Sequence, residues 1–137
     1  MRAMVIREHG APAVLKLEDR PLPDLRDTDV LIEVHATSVN PVDTKVRQRA
    51  SVGREYPIVL GYDVSGVVAR CGARVTQWKP GDEIFVTPNL FRNGANAEYV
   101  AIDARSAARK PQNVDRATTA VLQLVSQTAW ECVTCLP

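Results

Sequence analysis

The sequence predicts a mainly β domain with short helices, in which the strands form a barrel or sandwich rather than a layered α/β sheet. Most of the chain consists of short segments in which apolar and polar residues alternate, and glycine and proline mark the turns between them. Near residue 115 the pattern changes, and apolar residues recur at helical spacing. Many short strands joined by such turns favour a barrel or sandwich.

The longest predicted strand covers residues 29–38. Val30, Ile32, Val34 and Ala36 alternate along it, so one face of this strand is expected to be buried. Shorter strands are predicted at residues 4–6, 14–17, 63–70, 82–86 and 97–102.

A helix is predicted from Asp115 onward, with Asp115 as its N-cap. Its apolar and small residues recur three and four positions apart: Ala117, Ala120, Val121, Leu124, Val125, Thr128 and Cys132. Trp130 and Val133 widen this surface beyond one stripe. A helix that is apolar so far round is expected to pack against more than one neighbour.

Charge and hydropathy exclude several classes of function. Lys and Arg number 17 against 16 Asp and Glu, so the net charge of +1 does not predict binding to nucleic acid or to an anionic membrane. The first residues enter an alternating pattern without the apolar core of a signal peptide, and no apolar run reaches membrane-spanning length. The sequence predicts a cytoplasmic protein.

The cysteines do not predict a disulfide framework. There are three, Cys71, Cys132 and Cys135, and the last two form a C-x-x-C at the far end of the predicted helix. Redox pairs usually lie at a helix start, and a zinc site needs two more ligands. We interpret the pair as coincidence or core packing, with a metal or redox role as the alternative.

A local basic run is formed by Lys45, Arg47, Arg49 and Arg54. Such a run is typical of a solvated helix and loop face, and attraction of an anionic cofactor is the alternative.

Motifs that punctuate the strands occur in a fixed order. They are ATSVNPVD at 36–43, PIVLGYDVSGVV at 57–68, KPGDEIF at 79–85 and GANAEYV at 94–100. In this order they resemble the zinc-independent quinone oxidoreductase branch of the medium-chain dehydrogenase/reductases, from about residue 4 to residue 130.

The resemblance implies a GroES-like β-barrel as the substrate domain over residues 1–114. Residues 115–137 would be a connecting helix, truncated before a doubly wound nucleotide-binding domain. The chain contains no G-x-G-x-x-G phosphate loop. We therefore expect the isolated 137-residue chain to be a fragment and catalytically inactive.

The resemblance also implies that neither zinc of the zinc-dependent relatives is present. In those relatives a Cys ligand stands where Asn40 stands here, and Gly-His-Glu stands where Gly61, Tyr62 and Asp63 stand. Asn and Tyr are poor zinc ligands. The segment 86–97, where a four-cysteine structural lobe would lie, has no cysteine.

The implied activity is NADPH-dependent reduction of quinones or α,β-unsaturated carbonyls by hydride transfer. By resemblance, Asn40 and Asp43 lie beside the nicotinamide ribose and ring, and Thr128 lies near the carboxamide. Asn40 and Tyr62 are the predicted catalytic residues, with Tyr62 as a cleft-lining hydrogen-bond donor.

A structural interpretation of the same residues remains open. Asn40 and Pro41 are also typical of a turn that ends a strand, and Asp43 of the N-cap of a short helix through Arg47. The glycines and the Pro-Gly-Asp turn are expected to serve backbone geometry.

Two alternatives to the reductase remain. One is a stand-alone GroES-like binding or assembly module, a homodimer through the exposed helix face. The other is a relative that keeps the fold without catalysis.

Overall fold

The computed structural model describes residues 1–49 and 54–135, and within these ranges it has the predicted mainly β architecture. The strands are β1 (Arg2–Ile6), β2 (Lys16–Asp19), β3 (Asp29–Ala36), β4 (Ile58–Val59), β5 (Val64–Cys71), β6 (Glu83–Val86), β7 (Tyr99–Asp103) and β8 (Ala108–Arg109). The α-helices are α1 (Pro41–Gln48) and α2 (Arg116–Thr134). The last two residues of the predicted connecting segment, 136 and 137, lie outside the described residues.

Two antiparallel sheets form the body of the described part. One has the strand order β2-β1-β4 and the other β7-β3-β5-β6-β8. Strand β1 is linked to the segment before β7, because Met4 N–H donates to the Asn96 carbonyl at 2.8 Å and Glu98 N–H donates to the Arg2 carbonyl at 3.0 Å. These bonds join the sheets, as expected for a GroES-like barrel.

The core lies around the central strand β3, which pairs with β5 on one side and β7 on the other. Its alternating residues Val30 and Ile32 are fully buried, as predicted. They pack with Val64, Val68, Ile84, Val86, Ala95, Val100, Ile102 and Ala104. The buried residues of this cluster are all aliphatic, and burial of this kind is the main stabilising term in such a domain.

Some strand boundaries differ from the prediction for local reasons. The strand predicted at 14–17 begins only at Lys16, because Pro12–Val14 form a 3₁₀ turn. Strand β3 ends at Ala36 rather than at residue 38, and the hydroxyls of Thr37 and Ser38, just beyond its end, donate to Asp63. Strands β4 and β8 were not predicted; each is two residues long and too short to show a period.

Helix α2 begins as predicted. The Asp115 carboxylate accepts a hydrogen bond from Thr118 N–H at 2.9 Å, which makes it the N-cap. Arg116 then bonds to Glu83 at 2.7 Å and to His35 Nδ1 at 2.9 Å, and this anchors the helix start to the large sheet. No helix among the described residues is long and apolar enough to cross a membrane.

Beyond its first turns α2 leaves the barrel. Every residue from Val125 to Cys135 is exposed. Trp130 keeps 71% of its surface accessible and Val133 keeps 82%. The wide apolar surface predicted from the sequence is therefore uncovered in this chain.

Two aspartates face each other across β3 and β7, and each has its own arginine. Asp29 pairs in register with Asp103. The buried Asp29 carboxylate accepts two hydrogen bonds from Arg92, at 2.6 and 2.9 Å. Burial alone would raise the pKa of Asp29, but the bonds and charge of Arg92 outweigh burial and lower it. At the surface, Arg105 lowers the pKa of Asp103 to about 2.

We expect Arg92→Met to destabilise the fold by about 2–4 kcal/mol at neutral pH, because it leaves the Asp29 carboxylate buried without its partner. Since the pKa of Asp29 is lowered in the folded state, its stabilising effect is present above the unfolded value of about 3.9. That effect is lost as pH falls through the lowered pKa, so the difference between the two proteins should shrink in acid. Urea unfolding of both proteins at several pH values measures it.

The matched control is Arg105→Met, which removes an arginine from the facing aspartate, Asp103. The Arg105 side chain is 82% exposed, so its loss should cost less than about 1 kcal/mol. Equal effects of the two substitutions would contradict the role given to the buried pair.

Candidate functional site

The carboxylate of Asp63 is the centre of the site. Asp63 is fully buried at the start of β5. Its Oδ2 accepts hydrogen bonds from Asn40 Nδ2 at 2.7 Å and from the Ser38 hydroxyl. Its Oδ1 accepts from the backbone N–H of Leu124 at 2.8 Å. A buried carboxylate needs donors of this kind, and here they come from the loop after β3 and from α2.

Asn40 and Asp43 hold the start of α1. Asn40 is the N-cap, Pro41 is the first helical residue and Asp43 is the third. Asp43 Oδ2 accepts from Asn40 N–H, and Oδ1 accepts from Gly61 N–H, both at 2.8 Å. The structural alternative that made Asp43 the N-cap is therefore wrong. Asn40 occupies the N-cap position, and the Asp43 carboxylate accepts a hydrogen bond from the N–H of Asn40.

The charge state of Asp43 reflects opposing effects. Burial raises its pKa, the hydrogen bonds from Asn40 and Gly61 lower it, and the neighbouring carboxylate of Asp63 raises it; the net shift is upward. The two acidic side chains and the loop amide of Asn40 thus form one buried polar cluster.

Gly61 allows the two chain segments of this cluster to approach each other. Its φ is +100°, a backbone conformation that favours glycine. A Cβ on Gly61 would lie 2.7 Å from the backbone nitrogen of Asn96. The motif glycine therefore serves backbone geometry, as expected.

Tyr62 is enclosed rather than cleft-lining. Its side chain is fully buried, and its Oη accepts a hydrogen bond from Arg54 Nη1 at 2.8 Å. Arg54 Nη2 also donates to the Val59 carbonyl at 3.0 Å. Burial raises the pKa of Tyr62, and the Arg54 charge and hydrogen bond oppose this only in part. The phenol therefore stays protonated well above neutral pH.

The interpretation of the basic run as a solvated face is wrong for two of its members. Arg47 is 7% exposed, and its carbonyl accepts from Gly10 N–H at 2.9 Å. Arg54 is half-buried against Tyr62. Lys45 and Arg49 are exposed.

Thr128 lies on the exposed half of α2. Its Oγ1 donates to the Leu124 carbonyl at 2.9 Å. Among the described residues, no hydrogen bond joins Thr128 directly to Asn40 or Tyr62. The connection runs through Leu124, whose N–H bonds to Asp63 and whose carbonyl bonds to Thr128.

The polar cluster does not line the cleft beside Arg54 that the structure describes. A cleft of about 620 Å³ lies behind Arg54, with Arg20, Arg26 and Phe91 among its lining residues. Asn40, Asp43, Tyr62 and Thr128 do not line it.

The donor set does not fit zinc. Asn40 Nδ2 and the Arg54 guanidinium are hydrogen-bond donors directed at the oxygens of Asp63 and Tyr62, so these oxygens already have partners. Within residues 1–49 and 54–135, no group of three or more His, Cys, Asp and Glu side chains could hold a metal ion. Cys132 and Cys135 are free and exposed on α2, so core packing does not explain them in this chain.

Sequence reasoning missed the residues that complete the cluster. Ser38 and Asp63 lie in the motifs that contain Asn40 and Tyr62, but nothing in their spacing shows that they meet. The N–H of Leu124 carries no sequence signal, because every residue type but proline has one. Only the fold brings these groups together.

Comparison with known proteins identifies the relatives of this fold. The family model of the alcohol dehydrogenase GroES-like domain matches residues 26–112. An NADPH-dependent alkenal/one oxidoreductase, chloroplastic, from Arabidopsis thaliana is 39% identical over 96% of this chain and 36% of its own length.

Solved structures agree with the fold. The quinone oxidoreductase of Coxiella burnetii superposes with a TM-score of 0.93 at 31% identity, over 98% of this chain and 44% of that chain. A protein of Rhizobium etli CFN 42, described as a zinc-dependent alcohol dehydrogenase, gives a TM-score of 0.90 at 39% identity, over 96% of this chain and 39% of that one. The chain thus spans between about a third and a half of the length of these relatives.

We expect Gly61→Ala to destabilise the fold by more than about 2 kcal/mol, because the new Cβ would combine backbone strain with a collision against Asn96. The control is Gly81→Ala, where φ is +93° but a Cβ would meet nothing within 4 Å. Strain alone should cost about 1 kcal/mol there. Chemical denaturation of both variants measures the difference, and equal losses would show that the approach of Asn96 does not matter.

We expect Tyr62 to ionise at a higher pH than an unfolded tyrosine in an alkaline absorbance titration. Burial raises the pKa of Tyr62 above the unfolded value of about 10. The stability that the protonated phenol contributes is therefore present below that unfolded value and is lost as pH rises through the raised pKa of the folded state. Tyr62→Phe should remove the late phase of the titration. Tyr56→Phe is the control, since Tyr56 is 43% exposed, and it should leave the late phase in place. Loss of the same phase in both variants would contradict the burial argument.

Proposed function

We propose, because this chain belongs to the alcohol dehydrogenase GroES-like domain family of the medium-chain dehydrogenase/reductase superfamily, that it forms the substrate domain of a zinc-independent, NADPH-dependent oxidoreductase. Its substrates are quinones or α,β-unsaturated carbonyls, reduced by hydride transfer. Residues 1–114 form the substrate domain, and the segment from 115 to 137 leads to a nucleotide-binding domain. The names of the relatives support the reaction class.

The observation that carries the proposal is the donor chemistry at the motif positions. A zinc ion prefers thiolate, imidazole and carboxylate ligands. Here Asn40 contributes an amide that donates to Asp63, and Tyr62 contributes a phenol that accepts from Arg54. Zinc binding at this cluster would have to break these buried bonds. The site therefore suits a reaction that relies on positioned hydrogen bonds.

The same residues fit a nicotinamide cofactor. The Asn40 side chain lies at the start of α1, in a capping box with Asp43, and we assign it to contact with the cofactor. Thr128 is exposed one helical turn beyond Leu124. Each carboxylate oxygen of Asp43 retains a second lone pair for a ribose hydroxyl. NADPH, when bound, would supply the hydride.

Reduction of an enone also needs one proton. We assign its delivery to the Tyr62 hydroxyl: the bond from Arg54 uses a lone pair of Oη and leaves the O–H proton free to be donated. The raised pKa keeps that proton on the phenol at neutral pH. Because the side chain is fully buried, the proton would reach the product oxygen or carbon through one water.

One observation favours the second candidate function, a binding or assembly module. The apolar face of α2 is uncovered, with Val125, Trp130 and Val133 exposed. A second copy of the chain would cover this face in a homodimer, whereas in the reductase a nucleotide-binding domain would cover it.

The test compares this chain with a protein extended through a nucleotide-binding domain. We expect calorimetry to detect NADPH binding only in the extended protein, and expect that protein to oxidise NADPH with a quinone or an enone. Added chelator should leave the rate unchanged. Loss of turnover with chelator, or a lack of turnover with all acceptors, would overturn the proposal. A stable dimer of the short chain with a protected α2 would favour the module.

In the extended protein we expect Tyr62→Phe to lower kcat about a hundredfold with little change in NADPH affinity, since it removes the proton donor but keeps the ring. Tyr56→Phe is the matched control and should leave kcat unchanged. An unaltered kcat in Tyr62→Phe would remove the phenol from the mechanism.

A further inference from the structure

The bonds of Asp63 join parts of the chain that are far apart in sequence. Its carboxylate accepts from Ser38 and Asn40 in the loop after β3, and from the N–H of Leu124 in α2. Its own backbone carbonyl accepts from the Thr37 hydroxyl at 2.8 Å. One residue therefore bonds both to the loop that contains Asn40 and to the helix that contains Thr128.

The bond to Leu124 lies where α2 separates from the barrel. Thr119 and Ala120 are buried and Leu124 is half-buried, but every described residue from Val125 onward is exposed. Within the described residues, the bond from Leu124 to Asp63 is the last hydrogen bond between α2 and the rest of the chain. The direction of the exposed half of the helix therefore depends on this contact.

Leu124 N–H is an unusual group for a side chain to bond. Inside a helix, each N–H ordinarily donates to the carbonyl four residues earlier, and only the first turn has free N–H groups. Leu124 is well inside α2, which starts at Arg116. A carboxylate that accepts a hydrogen bond from this N–H fixes the position of one residue of the helix, Leu124. Apolar packing would fix only which face of the helix is turned to the barrel.

A purely structural role would not need a carboxylate. An apolar side chain at this fully buried position would pack against α2 without the cost of burying a charge. A carboxylate accepts from several donors at once, and its hydrogen bonds are about twice as strong as neutral ones. The arrangement suits a residue that must hold Asn40 and α2 at a fixed distance from each other.

We propose that Asp63 is a positioning residue: it ties the Asn40 loop to α2 at Leu124 and so sets Thr128, one turn further on, opposite Asn40 at the cofactor. This role rests on the proposed function. Asp63 does not touch the reacting atoms and acts through Asn40 and Leu124.

Two variants test separately the bond of Asp63 to Leu124 and its bond to Asn40. Asp63→Ala removes both side-chain acceptors and keeps the backbone carbonyl that accepts from Thr37. Asp63→Asn keeps Oδ1 for Leu124 but places an amide donor against the amide of Asn40. The control is Asp29→Asn, which alters another carboxylate that is 1% exposed and lies in the β3–β7 pair, away from α2.

The measurement is residue-resolved amide exchange and NMR chemical shift on the 137-residue chain. In Asp63→Ala we expect exchange at Leu124 and Thr128 to rise about ten- to a hundredfold more than at Ile32 and Val68 in the barrel. In Asp63→Asn the Leu124 amide resonance should stay close to its original position, while the side-chain amide resonances of Asn40 move. Asp29→Asn should loosen the barrel strands without a selective effect on α2.

Uniform loosening by Asp63→Ala, or a selective rise at Leu124 in Asp29→Asn, would overturn the role. If Asp63→Ala fails to fold, the NMR spectrum of Asp63→Asn decides. A shift of the Asn40 side-chain amide resonances without a shift of the Leu124 amide resonance supports the proposal, and movement of neither resonance set overturns it. Turnover of the unmodified extended protein tests the proposed function separately. If the extended protein turns over but the Asp63 variants show the same amide exchange as Asp29→Asn, only the positioning role is overturned. If amide exchange rises selectively in α2 but the extended protein shows no turnover, the proposed reductase function is overturned and the link between Asp63 and α2 is supported.

Discussion

The structure depends on a single constraint: a carboxylate taken out of water must find donors inside the protein. Asp29, Asp43 and Asp63 are all buried, and each meets the constraint differently. Asp29 has a guanidinium from Arg92, Asp43 has two backbone N–H groups, and Asp63 has a hydroxyl, an amide and a helix N–H. In each case at least one donor belongs to a segment that is remote in sequence, so each requirement helps to fix the tertiary fold.

At the candidate site this constraint is met by hydrogen bonds. Metal ligands direct lone pairs at a common point. Here donors from Ser38, Asn40 and Leu124 converge on the oxygens of Asp63 instead. Such a cluster is held together by hydrogen bonds. It orients groups without polarising a bound carbonyl, so the chemistry that we propose relies on geometry and on the phenol of Tyr62.

Much of the fold could be predicted from the sequence, because period-two alternation in β3 and helical spacing after Asp115 are local signals. The family was also predictable from ordered motifs, and the family match confirms it. The two-residue strands were beyond reach, since β4 and β8 exist only through their partners β1 and β6. The burial of Tyr62 and Arg47, and the bond of Leu124 to Asp63, were equally hidden, because they depend on contacts across the barrel. The roles of Asn40, Asp43, Tyr62 and Thr128 stay predictions.

The position of β1 has a consequence for how the chain acquires its structure during synthesis. This strand is made early, yet its neighbours include Ile58 and Val59, and it also bonds to Asn96 and Glu98. The pairing with β2 can form first, the pairing with Ile58 and Val59 only after β4 has been made, and the bonds to Asn96 and Glu98 last. Closure of the barrel is therefore a late event of high contact order. Until it occurs, the apolar residues of β1 remain exposed. A nascent chain of this design would benefit from a chaperone that shields that strand.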